Sequence, residues 1–130
     1  QFLIGSCLAE LEQYEEAIQQ FFKLDYLEEE NTKTWRALAW CLFIKGKHEQ
    51  AMKYYDKILN KQPLAVDYLN AGHVSWIMGA LPQAVSFYNK SIAESGNKEV
   101  FIKAFEKDKA ILLSKGIIAE EIPLILDMCE

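Results

Sequence analysis

Apolar residues recur with helical spacing between residues 35 and 63, and this stretch sets the pattern for most of the chain. One helix face carries apolar residues at i, i+3, i+4 and i+7, namely Trp35, Leu38, Ala39 and Leu42. Gly46 ends this helix because glycine readily adopts the left-handed conformation. A second stripe holds Ala51, Tyr55 and Ile58, and Pro63 prevents that helix from continuing. The spacing therefore predicts two antiparallel helices that approach closely at their small residues.

The same hairpin pattern occurs three times. Ala51 has a counterpart in Ala17 before it and another in Ala84 after it, at nearly equal spacings along the chain. The helices are expected near residues 2–11, 14–28, 32–45, 48–61, 65–78 and 82–95. Glu12 stands where the other two hairpins have a turn glycine, at Gly46 and Gly79, so the first turn departs from the pattern.

These positions resemble the tetratricopeptide repeat, whose pattern is W-x2-L-G-x2-Y, then A-x3-F, then P over about 34 residues. The matching positions are Gly5, Leu8, Ala17, Phe21, Trp35, Leu38, Ala39, Gly46, Ala51, Tyr55, Pro63, Tyr68, Gly72, Gly79, Ala84 and Tyr88. The resemblance implies an all-α fold, a right-handed α-solenoid of antiparallel helix pairs. The expected hairpins are residues 1–31, 32–64 and 65–96.

Residues 97–130 depart from the repeat and are expected to form capping helices, because a solenoid must cover its last apolar face. Asn97 is a suitable N-cap for a helix that begins at Lys98. Asp108 is expected to mark a kink or break in this helix. A last helix is predicted from about Ala119, with Pro123 in its first turn.

The composition fits a helical globular protein, since 51% of the 130 residues are hydrophobic and 25% are charged. No apolar run approaches the roughly 20 residues that cross a membrane. The sequence begins inside a repeat, at Gln1 in the Trp-like position, which favours a piece of a longer bacterial-type repeat protein with further repeats upstream. Cys7 and Cys41 occupy the same place in successive repeats and are expected to be buried free thiols, which favours the cytoplasm.

The net charge of −5 is unevenly distributed. Residues 1–31 hold eight acidic residues against Lys23, a net charge of −7, whereas residues 32–64 hold seven basic residues against two acidic ones, a net charge of +5. The lysines are spaced as a solvated face, with binding of an acidic partner as the alternative, and they are not interleaved with exposed aromatic residues. This arrangement does not indicate nucleic-acid binding.

A second apolar face lies on the first helix of each hairpin, on the side that lines the concave groove in this family. The predicted groove residues are Arg36, Trp40, Phe43, Ile44, Leu69, His73, Trp76 and Ile77. An open apolar surface of this extent exceeds what most monomers tolerate. The resemblance implies a non-catalytic scaffold that binds a protein or peptide partner there.

Two other readings of this face remain open. The same side chains can be intramolecular core, covered by neighbouring helices or by the last helix of the chain. They can also mediate self-association, which would make the protein a homo-oligomer. The apolar groove is similar to that of the small bacterial secretion chaperones of this family.

Catalysis has little support in the sequence. His73 has no acid or cysteine at i+3 or i+4 to form a metal-ligand pair, and His48 occupies a turn position. Paired carboxylates such as Glu15 and Glu16 begin helices, where the helix dipole favours them. There is no phosphate-binding loop, nucleophile elbow or HExxH sequence, so we expect neither a cofactor nor a metal.

Overall fold

The computed structural model describes residues 2–28 and 30–130, without the side chain of Cys7. The described residues form eight α-helices: α1 Phe2–Glu10, α2 Tyr14–Leu27, α3 Thr32–Ile44, α4 His48–Leu59, α5 Ala65–Ile77, α6 Leu81–Ser95, α7 Lys98–Ser114 and α8 Glu121–Met128. The all-α class built of helix pairs is confirmed, and the observed helix limits lie close to the predicted ones. The predictions for Gln1 and the Cys7 thiol fall outside the described residues.

The chain divides into two compact units, residues 1–62 and 63–130. The first unit contains two helical hairpins, α1–α2 (hairpin 1) and α3–α4 (hairpin 2). The second unit contains the hairpin α5–α6 (hairpin 3), followed by α7 and α8. In the described residues no helix is both long and apolar enough to cross a membrane.

The three hairpin turns share one hydrogen-bonding pattern. The amide N–H of Lys47 donates to the carbonyl of Leu42 at 2.8 Å, and the equivalent bonds of the other two turns are also 2.8 Å. Gly46 and Gly79 both have φ near +82°, and Glu12 takes the same left-handed region at +61°. The first turn therefore keeps the repeat geometry despite its missing glycine, with a non-glycine residue in a region that such residues rarely occupy.

Close helix approach within hairpins 1 and 3 depends on a glycine. A Cβ atom added to Gly72 would lie 2.5 Å from the Tyr88 ring, and one added to Gly5 would lie 2.7 Å from the Phe21 ring. Ala39 holds the equivalent position in hairpin 2 and is fully buried. Each hairpin thus has a small residue on its first helix. In hairpins 1 and 3 this residue lies against an aromatic ring of the second helix, and in hairpin 2 it lies in the core.

The helix α7 packs on hairpin 3 through the completely buried rings of Phe101 and Phe105. Asn97 caps it as predicted, because its side-chain oxygen accepts from the amide of Val100 at 2.8 Å. A break at Asp108 is not observed, since α7 is a single helix from Lys98 to Ser114. Asp108 instead turns its carboxylate toward α5, as described below.

Candidate functional site

In the first unit, the predicted groove residues lie along one side of α3. Arg36, Trp40 and Ile44 are half-buried, and Phe43 is completely buried behind them. The Phe43 ring centroid lies 5.5 Å from that of Trp40 and 5.5 Å from that of His48. Trp40 is therefore a partly accessible aromatic residue that packs on the buried ring of Phe43.

The opposite side of α3 is anchored by a half-buried carboxylate on α2. Asp25 accepts a hydrogen bond from the indole N–H of Trp35 at 2.8 Å and another from the hydroxyl of Tyr54 at 3.1 Å. Burial and the neighbouring Asp25 carboxylate raise the pKa of Tyr54 to about 12. At its N-terminus, α3 is capped by Asn31, whose side chain accepts from the amides of Lys33 and Thr34. The helix that carries Trp40 is therefore fixed in position.

In the second unit, the equivalent side of α5 is enclosed by the protein itself. Leu69 and His73 are 2% and 0% exposed, Trp76 is 7% exposed, and only Ile77 is half-buried. The ring centroids of His73 and Trp76 lie 5.3 and 6.4 Å from that of Phe105 on α7. For Leu69, His73 and Trp76 the structure thus favours the intramolecular reading over an open groove.

His73 connects three helices through a buried hydrogen-bond network. Its Nδ1 lies 2.7 Å from the hydroxyl oxygen of Tyr88 on α6, and its Nε2 lies 3.0 Å from Oδ2 of Asp108 on α7. Because a carboxylate only accepts, Nε2 donates to Asp108 and Nδ1 accepts from the Tyr88 hydroxyl. Burial lowers the pKa of His73, against the opposing effect of Asp108, and burial also raises the pKa of Tyr88.

The network consists of residue types that also form catalytic hydrogen-bond networks, but a substrate cannot reach its histidine and tyrosine. His73 and Tyr88 are both completely buried. Their hydrogen bonds satisfy polar atoms that would otherwise be costly inside the protein. The arrangement therefore stabilises the packing of α7 on hairpin 3. Within the described part of the chain, no group of three or more His, Cys, Asp or Glu residues is placed to hold a metal ion.

Sequence reasoning missed the two acids that organise these regions, Asp25 and Asp108. Asp25 follows Phe21 at i+4, and Asp108 follows Phe105 at i+3, so each acid lies on the buried stripe of its helix. An acidic residue on an apolar stripe indicates that a buried donor is hydrogen-bonded to it. The donors to Asp25 are Trp35 and Tyr54, and the donor to Asp108 is His73.

Comparisons with known proteins agree with this architecture. A family profile described as "Tetratricopeptide repeat" matches residues 1–31 and 32–61. The crystal structure of PcrH in complex with the chaperone binding region of PopB is similar, with a TM-score of 0.67 and 19% identity over 88% of each chain. The C-terminal part of a TPR repeat-containing protein from Cytophaga hutchinsonii has a TM-score of 0.71 and 18% identity. That likeness covers 98% of this chain and 48% of the other. No curated protein sequence matches this chain.

Hairpins 1 and 2 therefore match the tetratricopeptide repeat by sequence, and the fold of the chain is similar to that of a solved tetratricopeptide-repeat protein. Proteins with this fold are in general protein-interaction modules without catalytic activity.

Proposed function

We propose that this protein is a non-catalytic binding module that holds a peptide or helical segment of a partner protein against α3. The observation that carries this proposal is the different exposure of equivalent residues on α3 and α5. Trp40 is half-buried, whereas His73, its counterpart in hairpin 3, is enclosed. The proposed binding face comprises Arg36, Trp40 and Ile44, and Phe43 supports it from behind.

The chemistry of this face suits an apolar anchor with a polar or acidic neighbour. Aromatic and arginine side chains dominate the energetics of protein interfaces. Covering about 200 Å² here is worth roughly 5 kcal/mol at ~25 cal/mol per Å². Since association costs ~4–15 kcal/mol, burial of this face alone leaves little net free energy, and an isolated peptide is expected to bind weakly, with a dissociation constant of about 1 mM or above.

The likeness to PcrH supports a protein segment as the ligand, because PcrH is seen with the chaperone binding region of PopB. A secretion-chaperone-like role is accordingly our second candidate. We place the module in the cytoplasm, since Cys41 and Cys129 are buried free thiols, as expected in a reducing compartment.

A third candidate is a structural module whose groove face is filled by its own chain. The observation in its favour is the packing of α7 over His73 and Trp76. This applies to the second unit, and it leaves the α3 face of the first unit as the proposed binding surface.

The proposal is tested with peptides selected from a random displayed library against the whole chain. Dissociation constants are measured by fluorescence anisotropy for the unmodified protein, for Trp40→Ala and for the control Leu124→Ala, whose side chain is exposed on α8. Trp40→Ala is expected to weaken binding at least tenfold with helicity retained, and Leu124→Ala is expected to have no effect. Selected peptides that bind Trp40→Ala as tightly as the unmodified protein would refute the proposal.

A further inference from the structure

A cleft of about 700 Å³ lies between hairpins 1 and 2, on the side of α3 that Asp25 anchors. One wall comes from α2 and the other from α4, and the nearly buried ring of Trp35 lines the cleft between them. We call it the α2–α4 cleft. Its lining residues are Asp25, Tyr26, Glu28, Glu30, Trp35, Lys57, Asn60 and Lys61. Both hairpins belong to the first compact unit, and these residues differ from those of the α3 binding face.

The charges of the α2–α4 cleft favour a cationic ligand over an anionic one. Among the described residues, three carboxylates and two ammonium groups line it. The ammonium of Lys61 lies 3.0 Å from the carboxylate of Glu30, so these two charges offset each other. The carboxylates of Asp25 and Glu28 then face the single ammonium of Lys57. Two negative charges against one positive charge leave the lining negative, which attracts a cation.

A cation of the protein itself already lies over two aromatic rings beside this cleft. The ammonium of Lys57 is 5.5 Å from the centroid of the Trp35 ring and 4.8 Å from that of the Tyr54 ring. The same two residues donate hydrogen bonds to Asp25, so ring faces and a carboxylate attract positive charge at one place. Tyr26 adds a further ring, which lines the cleft and is 90% exposed.

The repeat does not require an acidic and aromatic set at these positions of α2. At the places equivalent to Asp25, Tyr26 and Glu28, hairpin 2 has Leu59, Asn60 and Gln62. A leucine thus fits where hairpin 1 carries a half-buried carboxylate, which costs free energy unless donors satisfy it. Apolar burial does not account for Tyr26 either, because its ring is almost fully exposed. These side chains are therefore a feature of this cleft and not of the repeat.

We propose that the α2–α4 cleft binds an arginine side chain of a partner protein. A planar guanidinium stacks on the ring of Tyr26 and donates hydrogen bonds to the carboxylates of Asp25 and Glu28. An ionised carboxylate has about four acceptor sites, and Asp25 uses two of them for Trp35 and Tyr54. The compact ammonium of a lysine lacks the flat, forked shape that allows stacking and donation together.

The test is an NMR titration of the whole ¹⁵N-labelled chain at constant ionic strength with three blocked pentapeptides. Each has two glycines on either side of a central arginine, lysine or citrulline, the last having the shape of arginine without its charge. The indole N–H signals report separately on the cleft (Trp35), the α3 face (Trp40) and the interior of the second unit (Trp76). The arginine peptide is expected to shift the Trp35 signal saturably, with a dissociation constant of about 1–10 mM. The lysine peptide is expected to bind several times more weakly, and the citrulline peptide is expected to cause no shift.

Two variants that each remove one charge have opposite expected effects on the arginine peptide. Glu28→Gln removes an anionic acceptor and weakens binding about threefold, whereas Lys57→Gln removes a competing ammonium and tightens binding about threefold. Tyr26→Ala weakens binding about threefold, and Tyr26→Phe keeps the ring and the affinity. The control Glu94→Gln removes an exposed carboxylate of α6 in the second unit and leaves the affinity unchanged.

Three results would overturn the proposal. The first is a Trp35 signal that does not shift with the arginine peptide up to about 50 mM. The second is a lysine or citrulline peptide that binds as tightly as the arginine peptide. The third is weaker binding by Lys57→Gln, which would indicate that the cleft prefers an anion. None of these results affects the proposed α3 binding face, which is tested separately with Trp40→Ala.

Discussion

Trp40 on α3 and His73 on α5 occupy the same repeat position in two different units, and their surroundings are opposite. Trp40 is half-buried and packs on the ring of Phe43. His73 is enclosed between Tyr88 and Phe105, and both of its ring nitrogens are hydrogen-bonded. The position within the repeat thus decides which way a side chain points. What packs next to the hairpin decides whether that side chain is a binding surface or part of a core.

The largest expected difference between the α3 and α5 faces is in the unfolding free energy lost when a tryptophan is replaced by alanine. Trp76→Ala is expected to cost ~3–5 kcal/mol of unfolding free energy, because it leaves a cavity against Phe105 and Tyr88. Trp40→Ala, at a half-buried position, is expected to cost about 1 kcal/mol. Urea unfolding followed by circular dichroism measures both. Equal losses would contradict the different burial of Trp40 and Trp76.

A smaller effect is expected from the glycine of hairpin 3. Gly72→Ala would place a methyl group 2.5 Å from the Tyr88 ring, which His73 and Phe105 hold in position. The expected cost is ~1–3 kcal/mol of unfolding free energy. Ala39→Gly at the equivalent position of hairpin 2 serves as the comparison and is expected to cost about 1 kcal/mol through helix propensity. A Gly72→Ala protein as stable as the parent would contradict the tight packing of α5 on α6.

The histidine of the second unit should make stability depend on pH. Burial lowers the pKa of folded His73 below 6.5, so the unfolded chain binds its proton more readily. The stability contribution is therefore present above pH 6.5 and is lost as the pH falls below that value toward the folded pKa. Melting temperatures at pH 7.5 and 5.5 test this, with His73→Gln as the control that removes the titrating group. If the melting temperatures of His73→Gln and of the parent protein fall equally between pH 7.5 and 5.5, His73 does not make stability depend on pH.

The smallest effect is expected at the surface of the first unit. Lys45 and Glu15 lie 3.5 Å apart with side chains 38% and 58% exposed. Such exposed pairs contribute little, and Lys45→Ala is expected to change the unfolding free energy by less than about 1 kcal/mol. A double-mutant cycle with Glu15→Ala measures the pair itself. A coupling energy several times larger than that of ordinary exposed pairs would mean that this ion pair, and not apolar packing, joins hairpins 1 and 2.

Most of the fold followed from the sequence because its signals are local. The residues Trp35, Gly46 and Pro63 mark a helix face, a turn and a helix end, and each does so within one hairpin. The left-handed Glu12 shows that the hairpin imposes its turn even without the glycine.

The site could be predicted only in part, because exposure depends on contacts between distant residues. The repeat pattern treats Trp40 and His73 alike, and nothing in it shows that Phe105 and Asp108 of α7 will pack over His73. The sequence signal for this contact was the acidic residue Asp108 on the otherwise apolar stripe of α7. Its partner is distant in the sequence, on α5. The interpretation of Asp108 as a helix break failed because it considered the backbone and not the side chain, whose carboxylate accepts a hydrogen bond from His73.

Acrylamide quenching of single tryptophans tests the central claim, that the α3 face is accessible and the α5 face is not. One variant, Trp35→Phe with Trp76→Phe, retains only Trp40, and the other, Trp35→Phe with Trp40→Phe, retains only Trp76. Quenching of Trp40 is expected to be several times stronger than quenching of Trp76, which is only 7% exposed. Equal quenching of the two indoles in folded protein would contradict the account.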